Sequence, residues 1–493
     1  MSAAESVLAL FLVRQSLQTV TVRALHREWI RVIWRSGALL LAGVFMTWPA
    51  LYNRYPVLYP DSISYLEGGR LVARAIFLHE FSTNYGGRSL IYSLGILPMH
   101  WNITPWPVVA SQALLTAYLI WLVVRSIVPR RTVMSYLALL IPLSLLTSLG
   151  WFVSLIMPDI LGPVLYLSIY LLVFAGETLS PRERLAVVLI AWWAVASHIT
   201  HLILASGLCA LLVAVLLLQR QPVRRWLGVI SKVAMIILLA AAAHLALHTY
   251  LYGRPSLTGR RPAFLMARVI ADGPGRWYLQ QRCGEVKFAI CDHVHQIRSG
   301  MSSDDFLWER QGIWDSASPT TQERLRAEET SFVLATLRTY PRAELAIAAN
   351  NFWEQLRTFA LWGYGPDPWI SEAFDRALPG ARSRYLQTRQ AQGALPGEFS
   401  TTAQNWMVMT ALGLILALTT LRYRHLSSRL VGLTVIIVSM TIANALVTAV
   451  FSLVEDRYQS RVIWLLPLLA GLFVLEWLDS RRVESLGGFP RTP

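Results

Sequence analysis

The stretch VLYPDSISYLEGGRLVARAIF, residues 57–77, follows the first strongly apolar run of the chain and sets an acid, Asp61, on a proline-led turn. Pro60 can open a helix but not continue one from behind it, so the apolar run ends and a new helix starts here. Asp61 is then either the N-cap of a helix beginning at Ser62 or a carboxylate placed at a membrane face for chemistry. Which role it takes depends on the side of the membrane it occupies and on what else lies there.

Of 493 residues, 55% are hydrophobic and only 15% charged, a composition too apolar for a soluble globular chain and too evenly spread for one anchor. Ten apolar runs fit membrane spans: 36–52, 107–124, 133–150, 158–175, 184–199, 202–219, 227–250, 405–421, 430–451 and 462–478. The expected fold is therefore an all-α polytopic membrane protein. The net charge of +15 is read as basic loops that orient helices, not as a nucleic-acid surface. Arginine is used almost to the exclusion of lysine, which occurs only as Lys232 and Lys287, a bias typical of a GC-rich bacterial genome. Residues 1–13 lack a basic start and an A-x-A site, so no cleaved leader is expected. Arginines 14, 23, 27, 31 and 35 among apolar residues make 1–35 a cytoplasmic interfacial segment.

With ten spans, the arginine-rich connections 125–131, 176–184, 219–225 and 422–429 share one side with the N-terminal segment and the tail 481–493, so both termini are expected in the cytoplasm. The opposite face receives the first loop 53–106, the turns near 151–157 and 200, the long segment 253–404 and residues 452–461. Asp61, Asp159, His198, His201 and the run VEDRYQSR (454–461) all gather on that face. Membrane parts at 36–252 and 405–480 thus flank an external segment. Within it, SPTTQERL suggests a capping box from Thr320 to Glu323, and a second amphipathic helix carries Leu345, Ile347, Phe352, Trp353, Leu356 and Phe359. Together they predict a small, mostly helical external subdomain. Cys283 and Cys291 lie close together in it, and an oxidising compartment favours a disulfide, while Cys209 sits inside a span as packing.

Four stretches resemble the GT-C-fold glycosyltransferases, polytopic enzymes that take a sugar from a polyprenyl-phosphate carrier. YPDSISYL resembles the acidic motif of their first external loop. GGRSLIYSLGILP (86–98) resembles the segment leading into their second span. MPDILGPVLYLSIYLL resembles their second acidic motif, and DRYQSRVIWLLPLLAG (456–471) the Arg-Tyr…Pro motif of the arm acting on lipid A or protein. The likeness covers residues 36 to about 220 in architecture plus the last spans. It departs where the family often carries a lysine, since the turn here reads SHITHLIL, and no WWD-type motif occurs.

The resemblance implies a GT-C-like bundle with juxtamembrane helices in a bacterial inner membrane, its site facing the periplasm. It implies a polyprenyl-phosphate-linked sugar donor, a lipid or envelope-glycan acceptor, and inversion. Asp61 would act as general base, with Asp159 orienting the acceptor or joining Asp61 at a divalent metal such as Mg or Mn; carriers with one phosphate commonly need no metal. The donor phosphate would be met by Arg88, His198, His201, Arg457, Tyr458 and Arg461, with Arg260 and Arg261 as further candidates. Arg457 has a plainer alternative, pairing with its neighbours Glu455 and Asp456. Trp192, Trp193, Phe352, Trp353, Phe359 and Trp362 are candidates to line a groove for the lipid tail. Rival readings are a transporter or flippase, an O-antigen-ligase-like enzyme centred on the late segment, and a catalytically silent scaffold.

Overall fold

The computed structural model describes residues 32–485 apart from 83, 84, 86, 130, 131 and 219–222. Most of the interfacial segment expected over 1–35, and the end of the tail, lie outside the described residues. Five helices are long and apolar enough to cross a membrane: Trp106–Ile127, Ile230–Tyr252, Gly397–Arg422, Ser428–Phe451 and Asp456–Arg481. Pro181–Ala196 and Ile199–Ala214 pass the same test as a pair bent by 120°. The protein is therefore helical and membrane-embedded, and among the described residues its one departure from helix and loop is an isolated parallel bridge, Val57 with Leu155.

The remaining expected spans are shorter helices, Val32–Met46, Val133–Leu146 and Pro158–Phe174. An apolar run is not a helix length. The run 36–52 breaks at Thr47, because Pro49 starts a separate turn, Trp48–Asn53. The run 133–150 stops at Leu146, where Ser148 turns its N–H to Gln404 (2.7 Å) and its hydroxyl to the Ser460 carbonyl (2.6 Å).

The segment 253–404, expected to be external, is two structures rather than one cap. Residues from about 263 to 340 have their own core, with Met266, Leu279, Phe306, Leu325 and Phe332 buried together and Cys283 bonded to Cys291. By contrast Leu361, Tyr364, Ile370, Phe374 and Tyr385 belong to the main core of the membrane part. The helix Pro319–Thr339 is capped by Ser318, which accepts from the Thr321 N–H. The expected box from Thr320 to Glu323 does not form: Pro319 takes the first helical position and leaves Thr320 inside the helix. Glu323 pairs instead with Arg254 and Arg326. The second helix spans Pro341–Gln355 and ends before Phe359.

Irregular backbone buried at membrane depth must have every polar group paired. The loop before Asp61 meets this condition twice. The Val57 N–H donates to the Ser154 carbonyl at 2.9 Å, and the Val57 carbonyl accepts from Ile156 at 3.1 Å. The Gln390 amide then accepts from the Leu58 N–H (3.0 Å) and donates to its carbonyl (2.6 Å). The segments leading to Asp61 and to Asp159 are thereby laid side by side. Beyond Asp61, the helix Pro60–Leu78 crosses Leu90–His100 at Gly68 and Gly69, where a Cβ on Gly69 would stand 2.3 Å from the Ser93 carbonyl oxygen. Gly69→Ala is thus expected to force these helices apart and cost about 1–3 kcal/mol, read as a lowered Tm in detergent. Gly37→Ala, with nothing within 4 Å, serves as the neutral control.

Candidate functional site

Asp61 lies in the first turn of its helix, whose N-cap is Tyr59, so the expected capping role is not the one it takes. Ser62, at the third helical position, reaches back to the N-cap, its hydroxyl accepting from the Tyr59 N–H at 2.9 Å. The Asp61 carboxylate turns to arginines: Arg88 Nη2 at 2.5 Å and Arg457 Nη1 at 3.8 Å. Asp159, 4% exposed, sits in the short turn Pro158–Ile160 behind the N-cap Met157 and likewise caps nothing. It faces Arg457 Nη1 at 3.8 Å and Arg461 Nη1 at 3.4 Å. Arg461, 2% exposed, is held by Asn444, whose Oδ1 accepts from its Nη2 at 2.8 Å and its Nε at 3.2 Å.

Arg457 is the shared member. It stands between two carboxylates, both beyond hydrogen-bond distance, with the rings of Tyr59 at 4.3 Å and Tyr458 at 5.2 Å from its guanidinium carbon. Its Nε and Nη1 are buried without a hydrogen-bond partner. The plainer pairing with Glu455 or Asp456 does not occur: Asp456 accepts from the Ala360 N–H at 2.6 Å, and the backbone of Glu455 is bonded to Gln355. Arg88 is braced from outside by Trp308 (5.2 Å) and Phe264 (5.9 Å) of the external subdomain.

His198 and His201 close another side of the cluster, their rings 5.4 Å apart. His201 is fully buried, with Nδ1 2.8 Å from the Ala194 carbonyl and Nε2 unpartnered. Gly162 makes room for it, since a Cβ there would lie 3.2 Å from Nε2. Tyr458 shares a hydrogen bond with Ser452 at 3.0 Å. Eight of the expected residues therefore come together: Asp61, Arg88, Asp159, His198, His201, Arg457, Tyr458 and Arg461. Arg260 and Arg261 do not join them. Arg260 lies over the Tyr252 ring at 5.1 Å, and Arg261 is bound to Glu329 at 2.6 Å, so both guanidiniums are spent outside the cluster.

Each carboxylate already faces guanidinium, and a cation between Asp61 and Asp159 would sit against Arg457. Among the described residues no group of three or more His, Cys, Asp or Glu side chains is arranged to hold an ion. Trp193 stacks on Tyr92 at 6.2 Å, and Trp353 and Trp362 are exposed. An apolar groove of about 490 Å³ lies instead along Ser206, Cys209, Ala210, Val213 and Ala214 on one helix and Ala234, Ile237 and Leu238 on the next.

Residues the sequence did not point to complete the site. Tyr59 covers Arg457, and burial pushes its phenol up to about 12 against the pull of Arg457. Asn444 orients Arg461, and Tyr364 lies within electrostatic range of Asp159 and Arg457. Compared with family models, with curated proteins and with solved structures, the chain matches none.

Glu455, at the margin of the cluster, makes a pH prediction. Burial raises its carboxyl; Arg457 opposes, while Asp304 and Asp456 add to the rise. A raised folded pKa gives stability that is complete below the unfolded value of ~4.3 and is lost as pH rises through the folded value. Tm measured from pH 4 to 8 should fall across that window in the wild type and fall less in Glu455→Gln. Parallel curves would show that Glu455 does not contribute.

Proposed function

We propose that the chain is a GT-C-type glycosyltransferase that moves a sugar from a polyprenyl-phosphate donor to an extracytoplasmic lipid or envelope-glycan acceptor, with inversion. The observation that carries this reading is Arg457, buried between Asp61 and Asp159 with Nε and Nη1 unbonded. A guanidinium left in that state at a membrane face is an anion site.

Charge supports a donor with one phosphate. Three arginines (88, 457, 461) and two aspartates (61, 159) sum to +3 − 2 = +1. A lipid-phosphate-sugar is a phosphodiester of charge −1, which leaves the site neutral. In the transfer the acceptor hydroxyl attacks the anomeric carbon as the bond from that carbon to the phosphate oxygen breaks. The hydroxyl proton passes to Asp61, raising the cluster to +2, and the departing polyprenyl phosphate carries −2. Neutrality holds before and after, which matters where charge is weakly screened. Phosphate entering between Arg88 and Arg457 replaces Asp61 as their anion and leaves that carboxylate free to act as base.

The groove beside Cys209, about 490 Å³ and lined mostly by apolar side chains, would take the apolar tail, and it lies along the same helix as His201. In this reading the shorter apolar helices complete about ten membrane crossings with both termini in the cytoplasm. The bacterial inner membrane is the setting and the site faces the periplasm. The broken pair Pro181–Ala196 and Ile199–Ala214 favours one rival, a lipid-linked-sugar flippase, because transporters use interrupted helices at their sites.

One experiment separates the two. Purified protein in nanodiscs is incubated with polyprenyl-phosphate sugars and candidate acceptors, and release of free polyprenyl phosphate is followed by mass spectrometry. The expected result is turnover that falls by roughly 10²–10⁴-fold in Asp61→Asn while donor binding persists. Movement of intact donor across sealed liposomes, with no cleavage, would favour the flippase and overturn the transferase.

A further inference from the structure

Tyr364 is brought to the cluster from far along the chain and held there firmly. Its loop is pinned by the Leu361 N–H to Thr401 (2.9 Å), the Ala360 N–H to Asp456 (2.6 Å), and Ser460 to the Ala360 carbonyl (3.0 Å). The ring stacks on Trp151 at 5.5 Å and meets Phe152 edge-on at 6.4 Å, so it cannot swing away. At 5% exposure its hydroxyl is buried and has no hydrogen-bond partner.

That state calls for a reason, because an unpaired buried hydroxyl costs about 1–3 kcal/mol and phenylalanine would pack as well. Other buried tyrosines are satisfied: Tyr92 by Gln112, Tyr136 by the Ala117 carbonyl, Tyr170 by Ser126. Among the described residues the unpaired, fully or nearly buried tyrosines are Tyr166, Tyr364 and Tyr385. Tyr166 lies inside the helix Leu161–Phe174, and Tyr385 stacks on Phe374 at 5.0 Å in the main core. The loop that carries Tyr364 is bonded at Ala360 to Asp456 and Ser460, on either side of Arg457 in the chain, and its ring packs on Trp151 of the segment that leads to Asp159. Its orphaned hydroxyl therefore belongs to the same part of the protein as the guanidinium whose Nε and Nη1 are orphaned. Unused donors on two residues of one buried cluster point to an acceptor oxygen of a ligand.

We infer that Tyr364 is a further ligand-binding residue whose hydroxyl donates to the phosphate oxygen held by Arg457. This rests on the reading of the cluster as a phosphate site. Burial keeps the phenol well above its ordinary pKa, so it stays a neutral donor at any working pH. It adds a bond to the oxygen that gains charge without disturbing the charge balance of the site.

The test uses the full-length protein in nanodiscs, with a long-chain polyprenyl phosphate as probe and the matching polyprenol as the phosphate-free comparison. Tyr364→Phe should bind the phosphate probe on the order of 10-fold more weakly and the polyprenol equally. Its Tm without ligand should be unchanged or higher, because an unpaired polar atom has been removed. Tyr385→Phe should show the same Tm behaviour with no change in affinity. Undiminished binding of the phosphate probe by Tyr364→Phe would overturn the assignment while leaving the phosphate site standing. A wild type that does not distinguish polyprenyl phosphate from polyprenol would overturn both.

Discussion

The buried guanidinium of Arg457, set between Asp61 and Asp159, is the constraint around which the rest is arranged. Removing a guanidinium from water is costly, and it is tolerated only where opposite charge is held nearby in fixed geometry. Here the charge comes from two turns separated by nearly a hundred residues, while the arginine arrives from near the C-terminus. Asp61 and Arg457 lie in the first turns of Pro60–Leu78 and Asp456–Ile463, and Asp159 in the turn Pro158–Ile160; the irregular backbone leading into them is the kind an apolar environment excludes unless its polar groups are paired.

Amide side chains make those pairings. Gln112 donates to the Val153 and Leu155 carbonyls, and Gln390 brackets Leu58. Gln355 brackets Glu455, Gln404 joins Ser148 to the Phe359 carbonyl, and Asn444 joins the Tyr458 carbonyl to Arg461. An amide carries a donor and an acceptor on one planar group, so it can substitute for a neighbouring strand without adding charge. Most of these splints are neutral; Asp456, whose carboxylate accepts from the Ala360 N–H at 2.6 Å, is the charged exception beside Arg457.

The cluster was legible in the sequence to the extent that cost is legible. Asp61, Asp159, Arg457 and Arg461 stood out because ionisable groups at the ends of apolar runs are expensive and must be offset. Arg260 and Arg261 satisfied the same criterion and proved to serve Tyr252 and Glu329, since sequence position beside a span says nothing about which way a long side chain turns. The Asp61 turn was ambiguous between cap and ligand; the helix starts at Pro60 rather than Ser62, with Tyr59 at the N-cap and Ser62 bonding back to it, which leaves the Asp61 carboxylate to the arginines. Tyr364, Gln390 and Asn444 were not legible. Each is an ordinary residue in its local context, and its importance arises from a partner distant in the chain or from the absence of one. The apolar runs were found as runs, but the break at Leu146 goes with tertiary bonds such as those of Ser148, and the break at Thr47 with Pro49, a local signal the run's hydropathy masks.

The free protein presents Asp61 with both carboxylate oxygens turned to guanidinium: Oδ1 to Arg88 at 2.5 Å and Oδ2 to Arg457 at 3.8 Å. On the transferase reading, this is useful. A carboxylate left open without donor would serve only to activate water once a donor arrived in a poor pose. A phosphate that draws Arg88 and Arg457 to itself takes those partners from Asp61 at the moment the anomeric carbon is in place. Access to the carboxylate is then coupled to occupancy by exchange of one anion for another. Arg88 is suited to that exchange because Phe264 and Trp308 brace it from the outer side, so its guanidinium can change partner while its position is kept.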